Sequence, residues 1–268
     1  MLKIDKIHCG DNCDLVAKIP RESIDLVLTS PPYDDLRQYG GHSWDFYGIA
    51  WQLARTLKPG GVIVWIVCDQ TENGSESGTS LEQALHFKRL GLRLHDTMIW
   101  NKGSFTGVGS VSVRYGPSSE FMFVFSKGRP KTFNPIRDRK NNYSGKIGKA
   151  NSLRLPSGEL IRKTHEAKPM DDFGIRFNVW NISPEQSNLK REHPAQFPDA
   201  LARDHIASWS NPGDLVLDPF LGSGTTAKAA KDLDRRYIGI EVNPQYCEMA
   251  ELRISQDSLC FPAQRDGK

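Results

Sequence analysis

Apolar residues along the chain gather into short runs bounded by turn residues. Four stand out: Ile24 to Leu28, Val62 to Val67, Phe121 to Phe125, and Leu215 to Leu217. Their β-branched and aromatic content predicts buried strands, with weaker candidates at Thr97 to Trp100 and Tyr237 to Ile240. Between the first two runs, Phe46, Ile49, Ala50, Leu53 and Leu57 recur at three- and four-residue intervals. That spacing predicts an amphipathic helix over Trp44 to Leu57, stopped by Lys58-Pro59-Gly60-Gly61. Helical patterns follow at Ser80 to Leu90, Pro198 to Trp209, Thr225 to Leu233 and Pro244 to Ile254. Strands alternating with helices predict an α/β fold, a mostly parallel sheet covered on both faces.

One segment breaks the pattern. Lys127 to Lys168 carries twelve Lys or Arg against Asp138, Glu159 and Glu166, a local charge of +9, with few apolar residues. It reads either as a solvated loop or as a surface that meets phosphates. Phe133 and Tyr143 among the cations favour the second. Net charge adds little, because 35 basic and 32 acidic residues leave only +3 over 268 residues.

Five cysteines, Cys9, Cys13, Cys68, Cys247 and Cys260, form no C-x-x-C pair. They read as reduced thiols of a cytoplasmic protein. His42, His86, His95, His165 and His205 lack ligand spacing, so no metal is expected. The six tryptophans read as packing residues. No apolar stretch approaches a membrane span, and the N-terminus lacks the apolar core of a signal peptide.

Two constellations carry chemistry. In Asp214-Leu215-Val216-Leu217-Asp218-Pro219-Phe220-Leu221-Gly222-Ser223-Gly224-Thr225-Thr226, a strand enters a glycine turn and then a helix. Glycines there let a ligand approach the backbone, and the helix start offers free N–H groups. About twenty residues on, a second strand ends at Glu241, where an acid can accept hydrogen bonds from ribose hydroxyls.

The other constellation is Thr29-Ser30-Pro31-Pro32-Tyr33, directly after the first strand. Pro31 and Pro32 fix φ and withhold two N–H donors, so the chain leaves the sheet as a rigid extended segment. The Ser30 hydroxyl and Pro31 carbonyl then form a row of acceptors for the N–H groups of a planar amine, and Tyr33 offers an aromatic face for a base. Alone, the motif is also compatible with an ordinary proline turn.

With the proline segment ahead of the glycine turn in the chain, both constellations resemble the β-group of amino-methylating DNA methyltransferases, bacterial or phage enzymes that modify N4 of cytosine or N6 of adenine. The resemblance extends over nearly the whole chain. It includes His8-Cys9-Gly10-Asp11, Leu57 to Gly61, Ile99-Trp100-Asn101-Lys102, Ser119-Glu120-Phe121 to Lys127, and His193-Pro194-Ala195-Gln196-Phe197-Pro198. Phe197 departs from the family's common Lys, and Ser30 stands where many adenine-modifying members carry Asp.

The resemblance implies a Rossmann-like sheet in which residues 1–126 form a catalytic half, 127–178 a target-recognition insertion, and 179–268 a cofactor-binding half. It implies S-adenosyl-L-methionine as cofactor, with Asp11 near its adenine, Glu241 on its ribose and Asp218 on its methionine part. Phe220, Gly222, Ser223, Gly224 and Thr225 complete the cofactor set. Ser30, Pro31, Pro32 and Tyr33 would hold a flipped base of double-stranded DNA while its amine attacks the sulfonium methyl directly. Ser at position 30 points to cytosine N4, with adenine N6 as the alternative.

A homodimer and a cognate restriction endonuclease are further expectations of the resemblance. Cytosine C5 chemistry needs a nucleophilic cysteine, usually presented after a proline, and no Pro-Cys occurs. RNA, a protein glutamine, or DNA binding without catalysis remain open to the proline motif. The basic segment favours DNA, and the intact motifs favour catalysis.

Overall fold

The computed structural model describes residues 2–33, 44–104, 113–147, 152–162, 169–184 and 198–256. His42, His165, Cys260 and the His193 to Phe197 part of the His-Pro segment lie outside these. Two compact units emerge, residues 1–134 with 178–268, and residues 135–177.

The first unit runs β1 (Lys6–Cys9), α1 (Asn12–Val16), β2 (Ile24–Thr29), α2 (Phe46–Thr56), β3 (Leu57–Val67), β4 (Thr71–Glu72), β5 (Ser75–Glu76), α3 (Thr79–Arg89), β6 (Arg93–Asn101) and β7 (Ser119–Ser126). After the second unit, which carries β8 (Arg139–Lys140), β9 (Ser152–Arg154), β10 (Leu160–Arg162) and β11 (Phe173–Gly174), it resumes. Its last elements are β12 (Val179–Asn181), α4 (Asp199–Trp209), β13 (Leu215–Asp218), α5 (Thr225–Asp232), β14 (Arg236–Glu241) and α6 (Pro244–Ser255).

Among the described residues one large sheet has the order β1-β14-β13-β2-β3-β7-β6-β12. From β1 through β3 every pairing is parallel, whereas β7 is antiparallel to both β3 and β6. The α/β reading is therefore correct. From β2 the chain crosses to β3 on one side, while from β13 it crosses to β14 on the other. The direction of winding thus reverses between β2 and β13, the point at which open α/β sheets leave a crevice beyond their strand ends.

All six residues of β2 are buried, as a central parallel strand covered on both faces must be. On one face Val16, Ile49, Leu53, Ala84 and Phe87 of α1 to α3 meet Val27, Ile63, Trp65, Leu217 and Ile238 of the sheet. Helices α4, α5 and α6 cover the other, where His205 of α4 lies 3.2 Å from the Met122 sulfur of β7. Asp25 pins the strand starts, accepting from Leu215 N at 3.0 Å and Lys58 Nζ at 2.6 Å.

Lys58 to Gly61 end α2 as the breaker pattern predicts, yet β3 starts at Leu57 without an intervening loop. The residues are absorbed as an irregularity between the Ile24–Leu57 and Leu26–Val62 pairs. Gly60 is required there: its φ is +79°, and a Cβ would come 2.8 Å from Lys131 Cβ.

Lys127 and Lys131, at the start of the basic segment, belong to the first unit. Lys127 donates to Leu57 O at 3.0 Å and pairs with Glu22, and Lys131 stands 3.9 Å from Asp25. Phe133 packs against Trp209, ring centroids 5.0 Å apart. In the second unit, β8 pairs with β11 and β9 with β10, all antiparallel. Arg139 lies over the Phe177 ring at 4.5 Å, while Tyr143, Ile147, Phe173 and Phe177 are exposed. Among its described residues this unit has cations and aromatic faces but few buried apolar side chains.

Candidate active site

Strand β2 delivers Thr29 against Trp65 of β3, and the ladder ends there because Pro31 and Pro32 have no N–H to give. Pro31 is buried, while Ser30 and Tyr33 are half-buried. The Tyr33 hydroxyl lies 2.7 Å from Ser30 Oγ and donates to Glu120 Oε2 at 2.8 Å. Glu120, 8% exposed, forms an ion pair through Oε1 with Lys102. Burial, and after it the charge of Glu120, push the Tyr33 phenol well above its ordinary value.

Strand β13 ends in Asp218, 2% exposed, whose Oδ1 accepts from Thr29 Oγ1 at 2.6 Å and from Phe220 N at 3.0 Å. Burial pushes this carboxyl up to about 6, against the pull of the Thr226 and Thr29 hydroxyls and the Phe220 N–H. The turn that follows needs its glycines. Gly222 and Gly224 have φ of +54° and +90°, and a Cβ on Gly224 would stand 2.8 Å from Ala250 Cβ. Gly224 also caps α5, whose first residue is the buried Thr225.

Glu241, at the end of β14, takes Gly222 N on one oxygen at 2.8 Å and Asn243 N on the other at 2.9 Å. A carboxylate held by two backbone donors is fixed in direction yet keeps lone pairs for hydroxyl partners. Next to it, Gly10 N donates to Glu241 O at 2.9 Å, bringing the end of β1 alongside. Asp11 follows and caps α1, accepting from Asp14 N at 3.1 Å. Ser223 is buried and receives Arg253 at 3.4 Å, and the Phe220 ring meets Trp44 edge-on with centroids 5.0 Å apart.

The residues singled out from sequence therefore collect at the strand ends of β1, β14, β13 and β2. Thr29 joins the proline segment to the glycine turn directly, and Glu241 joins that turn to the end of β1. Asp11 has its carboxylate on its own helix. Lys102 and Glu120 fall just outside the strands that the sequence predicts and enter only through segments of the family resemblance, which do not show their link to Tyr33. The signal is structural: antiparallel pairing of β6 with β7 sets Trp100 opposite Glu120 and Asn101 opposite Ser119.

Cys68, just past β3, has its thiol pushed up to about 11 by burial and by Glu120. It is protonated at neutral pH, a poor state for a nucleophile. Of the tryptophans, Trp65, Trp100, Trp180 and Trp209 are buried, whereas Trp51 is exposed. Cys9, Cys13, Cys68 and Cys247 are free thiols. No helix among the described residues is long and apolar enough to cross a membrane.

A winding reversal with a glycine turn and a strand-end acid places the chain among nucleotide-binding α/β proteins, and the rigid acceptor segment beside them adds a place for a second, planar partner. The family model described as DNA methylase, for N6 and N4 amino-methyltransferases, matches residues 24–252, and the chain belongs to that family. It is 50% identical over 252 residues to the orphan methyltransferase M.BamHII of Bacillus amyloliquefaciens, covering 92% of this chain and 94% of that one. It is 30% identical over 263 residues to the DNA adenine methyltransferase YhdJ of Escherichia coli K12, covering 92% and 81%. Among solved structures, the cytosine-N4-specific PvuII DNA methyltransferase superposes with a TM-score of 0.68 at 24% identity, over 94% of this chain and 87% of that one. The sheet is thus the Rossmann-like methyltransferase sheet.

Proposed function

We propose that this DNA amino-methyltransferase modifies N4 of cytosine in double-stranded DNA. The choice of cytosine rests on Ser30, which the family resemblance associates with N4 of cytosine; its hydroxyl is held 2.7 Å from that of Tyr33, a placement that suits the exocyclic amine of either base. A neutral hydroxyl and the Pro31 carbonyl are two acceptors for the two N–H groups of an exocyclic amine. Gripping both aims the nitrogen lone pair, and positioning of this kind supplies much of the rate. Tyr33 stacks the base, whose extraction from the duplex costs a few kcal/mol.

S-adenosyl-L-methionine is the donor and, when bound, supplies an electrophilic sulfonium methyl. The residues present fit it. Glu241 has acceptor capacity for a ribose diol, and the N-terminal N–H groups of α5 suit a carboxylate. Asp218 serves the cationic methionine end, Asp11 lies on the adenine side, and Phe220, Gly222, Ser223, Gly224 and Thr225 shape the cradle. The Gly224 turn has no room for a side chain because Ala250 of α6 packs against it, which fixes the start of α5.

Residues 127–178 contain the target-recognition insertion, carried by the second unit, 135–177, between a catalytic half, 1–126, and a cofactor-binding half, 179–268. Cations such as Arg137, Lys140 and Lys146 hold phosphates there. The resemblance also carries a homodimer and a cognate restriction endonuclease into this reading; light scattering of the purified chain tests the first. The base is tested by single-molecule sequencing of DNA from cells expressing the chain. N4-methylcytosine within one recurring sequence is expected; N6-methyladenine there would replace cytosine by the alternative base.

A further inference from the structure

We propose that Glu120, fixed by Lys102, sets the direction of the hydrogen-bond chain through Tyr33 and so keeps Ser30 an acceptor for the target amine. The proposal rests on the reading of Ser30 given above.

A phenol has one proton. Glu120 accepts it at 2.8 Å, and its other oxygen is occupied by the Lys102 ammonium. With the Tyr33 proton committed, the 2.7 Å contact between Tyr33 and Ser30 has one workable polarity: the Ser30 hydroxyl donates to the phenol oxygen. The Ser30 hydrogen is thereby turned away, and its lone pairs are left for an amine N–H. An undirected serine could instead present its hydrogen to the amine, donor facing donor. Glu120 and Lys102 are positioning residues: they act through Tyr33 and Ser30.

The Glu120→Gln substitution tests the direction of the chain with little change in shape. Lys102 draws the amide carbonyl, so the amide nitrogen faces Tyr33 and becomes a donor. Tyr33 must then donate to Ser30, and the Ser30 hydrogen swings toward the substrate. Turnover is expected to fall about 10- to 100-fold, by analogy with the loss of residues that orient metal ligands through a hydrogen bond. The dissociation constant for S-adenosyl-L-methionine and the melting temperature are expected to stay at wild-type values. Adding Lys102→Met frees the amide to turn, and part of the lost turnover should return; a merely structural pair would give a further loss.

In a Ser30→Ala background, E120Q should cost nothing more, because the chain no longer ends on a hydroxyl. Wild-type turnover for E120Q, or a full additional loss on top of S30A, overturns the relay alone. Wild-type turnover for S30A overturns the role of Ser30 itself, and the relay with it. Should E120Q lose stability, Tyr33→Phe cuts the same chain without touching the ion pair. Its loss of turnover is likewise expected to vanish in the S30A background, and persistence of that loss overturns the relay.

Discussion

The Thr29 hydroxyl donates to Asp218 Oδ1 at 2.6 Å, a buried bond across 189 residues of chain. One end of it immediately precedes the acceptor segment, and the other opens the glycine turn. The proline segment and the glycine turn, proposed to hold base and cofactor, are thereby kept in one register by a side-chain contact at the winding reversal.

Replacing Thr29 by Val keeps the volume and removes that donor. A buried acceptor that loses its partner costs about 1–3 kcal/mol. The urea midpoint should fall with its slope unchanged, and the Asp218 carboxyl should move further above about 6, since its charged form loses a hydrogen bond. Equilibrium unfolding and a pH titration of the variant check both.

With the cofactor role proposed for Asp218, binding is expected to depend on pH. Its folded value, about 6, is raised above the ~4 of an unfolded aspartate. Its contribution to ligand-free stability is therefore fully present below pH ~4 and lost as pH rises through about 6. Affinity for a cationic methionine end runs the opposite way, because it needs the carboxylate. Calorimetric titration with S-adenosyl-L-methionine should show affinity falling as pH drops from 7 through 6, and Asp218→Asn should bind weakly with this dependence flattened.

Asp25 lies at the opposite end of the same two strands. Asp25→Ala would leave the buried Leu215 N–H without its acceptor and the half-exposed Lys58 without its partner. A loss of about 1–3 kcal/mol is expected. Turnover per folded molecule should be unchanged, a contrast with Thr29→Val that separates strand pinning from site assembly.

Gly224→Ala should impair both. The residue has φ of +90°, and its new methyl would press on Ala250 at 2.8 Å. Backbone strain of this kind costs about 1–3 kcal/mol. The α5 start would shift with it, and weaker cofactor binding should accompany the lower melting temperature.

The central strands were legible because burial on both faces demands continuous apolar runs, as in β2 and β3. Helices α2 to α6 were legible from their spacing and terminal signals. Strand β1 was missed because Lys6-Ile7-His8-Cys9 is a partly exposed edge without an apolar run. Strand β6 extends to Arg93, further than expected, since its first half alternates between exposed and partly buried positions. The site was legible where its residues are adjacent in sequence, from Ser30 to Tyr33 and from Asp218 to Thr225. Thr29–Asp218 and Lys102–Glu120–Tyr33 depend on strand pairing, which no local pattern encodes.

The account is tested most directly by incubating the purified chain with plasmid DNA and methyl-labelled S-adenosyl-L-methionine, digesting to nucleosides, and weighing the labelled one. Label in N4-methylcytosine is the predicted result. Label in N6-methyladenine would contradict the role given to Ser30 in choosing the base, and no label at all, with cofactor bound, would contradict the catalytic account.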